Sequence, residues 1–122
     1  MSHKIMLVED DQPILEMMEI LLKRIGYTPI LVPDPLQALE MVRSDPPTLI
    51  LLDVMMEPID GWQFLEKLRG EYGIKDVPVL LFTASPTAEE RLESIKDEKL
   101  GILQKPVSIA ELRAGLEKFL GK

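Results

Sequence analysis

Cysteine is absent from the chain, and histidine occurs once, as His3 near the start. A disulfide framework and a thiolate metal site are thereby excluded, and one imidazole cannot build a zinc site. A reducing, cytoplasmic setting suits such a sequence. Excess positive charge is lacking too: the formal net charge is −7. A basic patch should dominate any surface built for nucleic acid, so an acidic chain points instead to protein partners and cations. Long apolar runs are also missing. The longest, Thr48 to Leu52 and Val77 to Phe82, fall far short of a membrane span, and Glu9 and Asp10 interrupt any signal-peptide pattern at the N-terminus. The expectation is a soluble, unprocessed protein away from membranes. What is present is 122 residues at 46% hydrophobic content, enough for one domain with its own core over residues 1–122 and too little for two.

Apolar runs and helical patterns alternate along the chain. Ile5 to Val8 reads as a buried strand that ends in Glu9, Asp10 and Asp11. Pro13 suits a first helical turn, and Ile14, Met17, Met18, Leu21, Leu22 and Ile25 follow at helical spacing until Gly26 supplies a stop. Thr28 to Val32 is a second strand, placed at a sheet edge because Pro29 has no N–H to donate. Asp34 and Pro35 open a second helix with Leu36, Leu39 and Val42 on its buried stripe, ending before Pro46. The third strand, Thr48 to Leu52, runs into Asp53. A third helix follows Asp60 and Gly61 and closes at the glycines 70 and 73. Val79 to Phe82 is a fourth strand ending in Thr83. Pro86 to Ile95 predicts a helix with little besides Leu92 and Ile95 to anchor it, hence the most mobile of the set. Gly101 to Gln104 is a fifth strand that stops at Lys105, and Ser108 with Glu111 has capping-box spacing ahead of a last helix. Five alternations predict a parallel sheet covered by helices on both faces. The seven methionines, Met17, Met18, Met55 and Met56 among them, read as core filling.

Sheets of this kind bind ligands at the carboxyl ends of their strands, where Glu9, Asp10, Asp53, Thr83 and Lys105 all stand. Singly, each has an ordinary role as a cap, a helix start, a strand residue or a surface lysine. Jointly they make a site. Carboxylates in contact repel by about 4 kcal/mol per pair at an effective dielectric near 20, a penalty that a divalent cation removes. Magnesium, which takes oxygen ligands and pairs carboxylates with a phosphate, suits the set better than zinc or calcium. Asp53 can then be a nucleophile forming an aspartyl phosphate, with Thr83 donating a hydrogen bond to a phosphoryl oxygen and Lys105 neutralising charge that develops on transfer.

The segments KIMLVEDDQ at the start, LILLDVMM around Asp53, DGW from Asp60, LLFTAS around Thr83 and LQKPVS around Lys105, in this order and over essentially the whole chain, resemble the response-regulator receiver family. The resemblance implies a flavodoxin-like (βα)5 three-layer sandwich with a parallel five-stranded sheet of order 2-1-3-4-5. It implies Asp53 as phosphoacceptor, Glu9 and Asp10 as the acidic pair for magnesium, the Met55 backbone carbonyl as a further ligand, and Thr83 and Lys105 as phosphoryl contacts. Asp10 should bind directly and Glu9 mainly through water. The implied phosphodonor is a sensor histidine kinase, a phosphotransfer protein or a small molecule; the implied output is contact with a downstream protein, by a monomer or a phosphorylation-dependent dimer. With nothing after the fifth helix, a stand-alone receiver without an output domain is the expectation. Two positions depart from the family pattern. Ile102 stands where an aromatic is usual, three residues before Lys105, and Glu57 stands where a proline is usual, with Pro58 one place later.

An alternative is a receiver-like interaction module that works without phosphorylation. A flavin carrier of the same topology would need a small, glycine-rich phosphate loop where Glu9, Asp10 and Asp11 stand, and a haloacid-dehalogenase-type phosphatase would need an Asp where Met55 stands.

Overall fold

The computed structural model describes residues 3–121. Strands β1 (Lys4–Val8), β2 (Thr28–Val32), β3 (Leu49–Asp53), β4 (Val79–Thr83) and β5 (Leu100–Gln104) alternate with helices α1 (Gln12–Ile25), α2 (Pro35–Ser44), α3 (Gly61–Glu66), α4 (Ala88–Ser94) and α5 (Ile109–Leu120). All strand pairs are parallel, in the order β2-β1-β3-β4-β5. β2 is therefore an edge strand, where the missing N–H of Pro29 costs no central ladder bond.

Period-two alternation in the strands divides the core into two layers. Met6, Val8, Ile50, Leu52, Val79 and Leu81 face one helical layer with Leu39 and Phe64, while Ile5, Leu7, Leu49, Leu51, Leu80 and Phe82 face the other with Leu22 and Leu116. Central strands buried on both faces have to be apolar throughout, which is why β3 and β4 read as unbroken runs.

Local chemistry sets the helix ends. Asp11 accepts from the Ile14 amide, and Gly26 at φ 112° closes α1 in the left-handed region that glycine enters without a Cβ penalty. Asp34 caps α2, with Pro35 inside its first turn. Reciprocal capping boxes join Asp60 to Gln63 and Ser108 to Glu111.

Three expectations need correction. Met17 is 47% exposed and Met55 is 75% exposed, so neither fills the core; Leu15, at 3% exposure, takes the inward position on α1. Their apolar character had suggested burial, but Met17 lies off the inward stripe and Met55 sits on the loop beyond β3. The third helix does not run regularly to Gly70: α3 passes at Glu66 into a π-helical turn, Lys67–Glu71, and Gly73 at φ 66° ends it. The fourth helix starts at Ala88, because residues 84–87 form a hydroxyl-bonded turn instead of a first helical turn.

Candidate functional site

β1, β3 and β4 end side by side, and each delivers a polar side chain at its carboxyl end. Glu9, Asp53 and Thr83 are buried, at 0%, 3% and 1% exposure, the only polar or charged residues in that class among the described residues. Three polar groups kept out of water at one rim of an apolar sheet have to answer a requirement other than packing, since each costs free energy to desolvate.

Carboxylate oxygens of Glu9, Asp10 and Asp53 lie within 4.8 Å of one another. Lys105 Nζ is 3.2 Å from Asp53 Oδ1 and 5.1 Å from the centre of the Phe82 ring, so the cation is steered to Asp53 along an aromatic face. The Lys105 amide donates to the Thr83 carbonyl at 2.8 Å, which ties the lysine's backbone to the end of β4. The Met55 amide donates to Asp53 Oδ1 at 3.4 Å, and the Glu57 amide donates to Asp10 Oδ2 at 3.3 Å. Glu57, where a proline had been usual, thus supplies an N–H that a proline could not, and the peptide bond that follows, Glu57–Pro58, is cis. The loop after β3 folds over the acidic group by these two amides. Thr83 Oγ1 accepts from the Ser85 amide at 3.0 Å.

The electrostatics are strained on one side. Neither carboxylate oxygen of Glu9 has a hydrogen-bond partner. Burial pushes the Glu9 carboxyl up to about 9; the adjacent Asp53 carboxylate adds to the rise, as does Asp10 more weakly, while Lys105 opposes it. One cation, Lys105, faces three acids. A buried carboxylate with orphaned oxygens, beside two more carboxylates and no sulfur or imidazole donor, fits a hard, oxygen-seeking divalent cation.

Every site residue singled out in the sequence lies at this rim; Met55, expected to act through its backbone carbonyl, places its amide on Asp53 Oδ1 and its side chain in solvent. Gly61 was read only as a helix start. Its amide donates to the Val54 carbonyl at 2.8 Å, and a Cβ there would lie 2.6 Å from the Asp53 carbonyl oxygen, so only glycine lets α3 begin this close to the end of β3. The Asp60–Gly61 pair carried that signal, but nothing in the sequence shows which backbone it approaches.

The family model of the response regulator receiver domain matches residues 5–117. The chain belongs to this family. Among relatives of the receiver, the response regulator MprA of Mycobacterium ulcerans is 36% identical over 98% of this chain and 51% of its own length. The phosphate regulon transcriptional regulatory protein PhoB of Escherichia coli is 33% identical over 98% of this chain and 52% of its own. The chain thus spans about half the length of both. In solved structures, the receiver domain of the sensor histidine kinase PA1611 from Pseudomonas aeruginosa, with a magnesium ion coordinated in its active-site cleft, superposes with a TM-score of 0.83 at 29% identity over the full length of both chains. The flavodoxin-like fold is therefore that of known receivers. No helix among the described residues is long and apolar enough to cross a membrane.

Proposed function

We propose that this receiver accepts a phosphoryl group on Asp53 in a magnesium-dependent reaction and passes the signal on by protein contact. The observation that carries the reading is the buried Glu9 carboxyl, with both oxygens unpartnered, set against Asp53 and Asp10 while Lys105 reaches Asp53 from the other side. Asp10, Asp53 and the Met55 carbonyl would hold the metal, with Glu9 assisting through water. Magnesium, when bound, would neutralise the carboxylates and the charge of the incoming phosphate.

In the transfer, an Asp53 carboxylate oxygen attacks phosphorus. The donor's bond to phosphorus breaks as the Asp53 O–P bond forms, and acetate leaves from acetyl phosphate or imidazole from a phosphohistidine. Thr83 turns its hydroxyl to donate to a phosphoryl oxygen, and Lys105 moves its charge from Asp53 Oδ1 to the new phosphate. Attack by water later returns the carboxylate and inorganic phosphate. A sensor histidine kinase or a phosphotransfer protein supplies the group. The −7 charge favours a protein target over nucleic acid as the contact of this domain.

Intact-mass measurement after acetyl phosphate treatment tests the reading. One phosphoryl adduct should form with magnesium and none without it, and Asp53→Asn, nearly isosteric but a poor nucleophile, should fold normally and carry none. Equal incorporation by the mutant, or labelling indifferent to magnesium, would sink the assignment. A wild-type protein that is never labelled would leave the phosphorylation-independent module as the better account.

A further inference from the structure

α4 is held on the domain differently from the other helices. Within it only Ala88 is buried, and Leu92 and the following Ile95 are half-buried. Between it and α3 lies a cavity of about 340 Å³ whose walls include Trp62, Leu65, Arg91 and Ile95. Apolar packing across that gap is incomplete, so α4 depends on polar contacts at its middle as well as at its two ends.

The far end is clamped. Arg69, on the π-helical turn, donates from Nε to Asp97 at 2.9 Å, from one terminal nitrogen to the carbonyls of Ile74 at 3.0 Å and Val77 at 2.8 Å, and from the other to the Lys99 carbonyl at 3.1 Å. Arg69 and Asp97 are 15% and 16% exposed, so the pair is better shielded than a surface ion pair, and the fork of donors fixes the turn after α4 to the segments before β4 and β5.

The middle is bridged by a cation–π contact. The Arg91 guanidinium stands 4.6 Å from the centre of the Trp62 ring, spanning α4 to α3 across the cavity. The near end connects to the phosphoacceptor site through hydroxyls. Thr83 Oγ1 accepts from the Ser85 amide at 3.0 Å, Ser85 Oγ lies 3.1 Å from Thr87 Oγ1 and accepts from the Thr87 amide at 3.4 Å, and the Thr87 carbonyl accepts from the Arg91 amide at 3.2 Å. A turn of the Thr83 side chain toward a phosphoryl oxygen takes the acceptor from Ser85, and each bond after it leads to Arg91. Ile102, half-buried on β5, has no hydroxyl with which to carry such a signal.

We infer that Arg91 stacked on Trp62 is the latch that keeps α4 against α3 while Asp53 is unmodified, and that the Arg69–Asp97 clamp is the hinge about which α4 swings when the latch opens. The trigger rests on Asp53 being a phosphoacceptor. The latch is a property of the resting protein and can be tested without any phosphoryl chemistry.

Trp62 is the only tryptophan, so its emission reports on the latch directly. The experiment compares wild type, Arg91→Gln and Asp97→Asn by Trp62 fluorescence and by hydrogen exchange over residues 88–95, each at rest and with beryllofluoride plus magnesium. Bound beryllofluoride is checked by its fluorine resonance. At rest, Arg91→Gln should raise exchange across α4 about fivefold, the size expected for a partly exposed cation–π contact, and shift the Trp62 emission. Beryllofluoride should move wild type in the same direction and add little to Arg91→Gln. Asp97→Asn should speed exchange in the turn after α4 as well as in the helix. Resting exchange and emission in Arg91→Gln equal to wild type would overturn the latch, whatever happens at Asp53. Bound beryllofluoride without a change in α4 or Trp62 would overturn the coupling. Failure of beryllofluoride to bind wild type would strike at the phosphoacceptor reading and at the trigger, with the latch still decided by the resting comparison.

Discussion

The Glu9 carboxyl is fully buried beside Asp53 and pushed up to about 9, so the metal-free folded protein keeps a proton that the unfolded chain loses near its ordinary value of 4.5. The sign follows from proton counting. Below about 4.5 both states hold the proton and the folded state is not penalised; between there and about 9 only the folded state holds it, so stability falls as pH rises, by at most about 1.4 kcal/mol per pH unit from this group. Denaturant melts of chelator-treated protein from pH 5 to 9 should show that decline, and Glu9→Gln, which is neutral throughout, should flatten it. A slope unchanged by Glu9→Gln would place the titration elsewhere. Met55 offers a second test at this scale. Its exposed thioether stands two residues after Asp53 and gives a hydrolytic water no polar partner. Met55→Asn should speed loss of phosphate from the purified phosphoprotein about tenfold, if water orientation is worth about 1.4 kcal/mol of barrier. A rate at or below wild type would show that this side chain does not gate the water.

Elements differ in how firmly their sequences hold them. α5 has a reciprocal capping box, a left-handed Gly121 at its end and Leu112 and Leu116 fully buried. α4 has no side-chain cap at Thr87 and one small buried residue. Leu116→Ala should therefore cost about 2–5 kcal/mol in denaturant melts, as a core truncation does, whereas Leu92→Ala, at a half-buried site beside a cavity, should cost well under that. Equal losses would mean that α4 is packed as tightly as α5. The junction between β3 and α3 is tighter still. Gly61→Ala puts a methyl group against the Asp53 carbonyl, backbone that cannot rotate away, so α3 must back off. The expected loss is about 1–3 kcal/mol together with slower acetyl phosphate labelling, because the strand end that aims Asp53 is displaced. Normal labelling in this variant would show that α3 does not set the geometry of the acceptor.

For the whole molecule, magnesium held at the acidic rim as proposed would make stability depend on that cation. Three carboxylates face one lysine there, in a chain of net charge −7. A ligand that binds only the folded state adds RT ln(1 + [L]/Kd), about 2.7 kcal/mol at a hundredfold excess over Kd. Magnesium chloride should therefore raise the melting temperature in proportion to the logarithm of its concentration, and sodium chloride at matched ionic strength should not. Asp10→Asn should lose most of the magnesium response while gaining some metal-free stability from the relieved repulsion. A magnesium response in Asp10→Asn equal to that of wild type would remove Asp10 from the metal site.

The sequence by itself determined the order of elements, the edge position of β2 and the five residues at the rim, because local periodicity, proline chemistry and the parallel-sheet rule act over short stretches and each leaves a visible pattern. Pro29 placed β2, the Asp34–Pro35 and Ser108–Glu111 pairs placed two helix starts, and apolar runs ending in Glu9, Asp53 and Thr83 marked the site. The exposed Met17 and Met55 were not legible, since hydrophobicity alone does not say which way a residue faces when a helix has apolar residues on several sides or a loop leaves the sheet. The π-helical turn was hidden for a related reason: Arg69 is set by carbonyls of residues 74, 77 and 99 and by Asp97, partners distant in sequence or on irregular backbone. Only the tertiary structure could decide that Gly61 abuts the Asp53 carbonyl, that Glu9 has no partner for either oxygen, and that Arg91 meets Trp62. Each depends on how separate elements are brought together in space, and no local pattern encodes those distances.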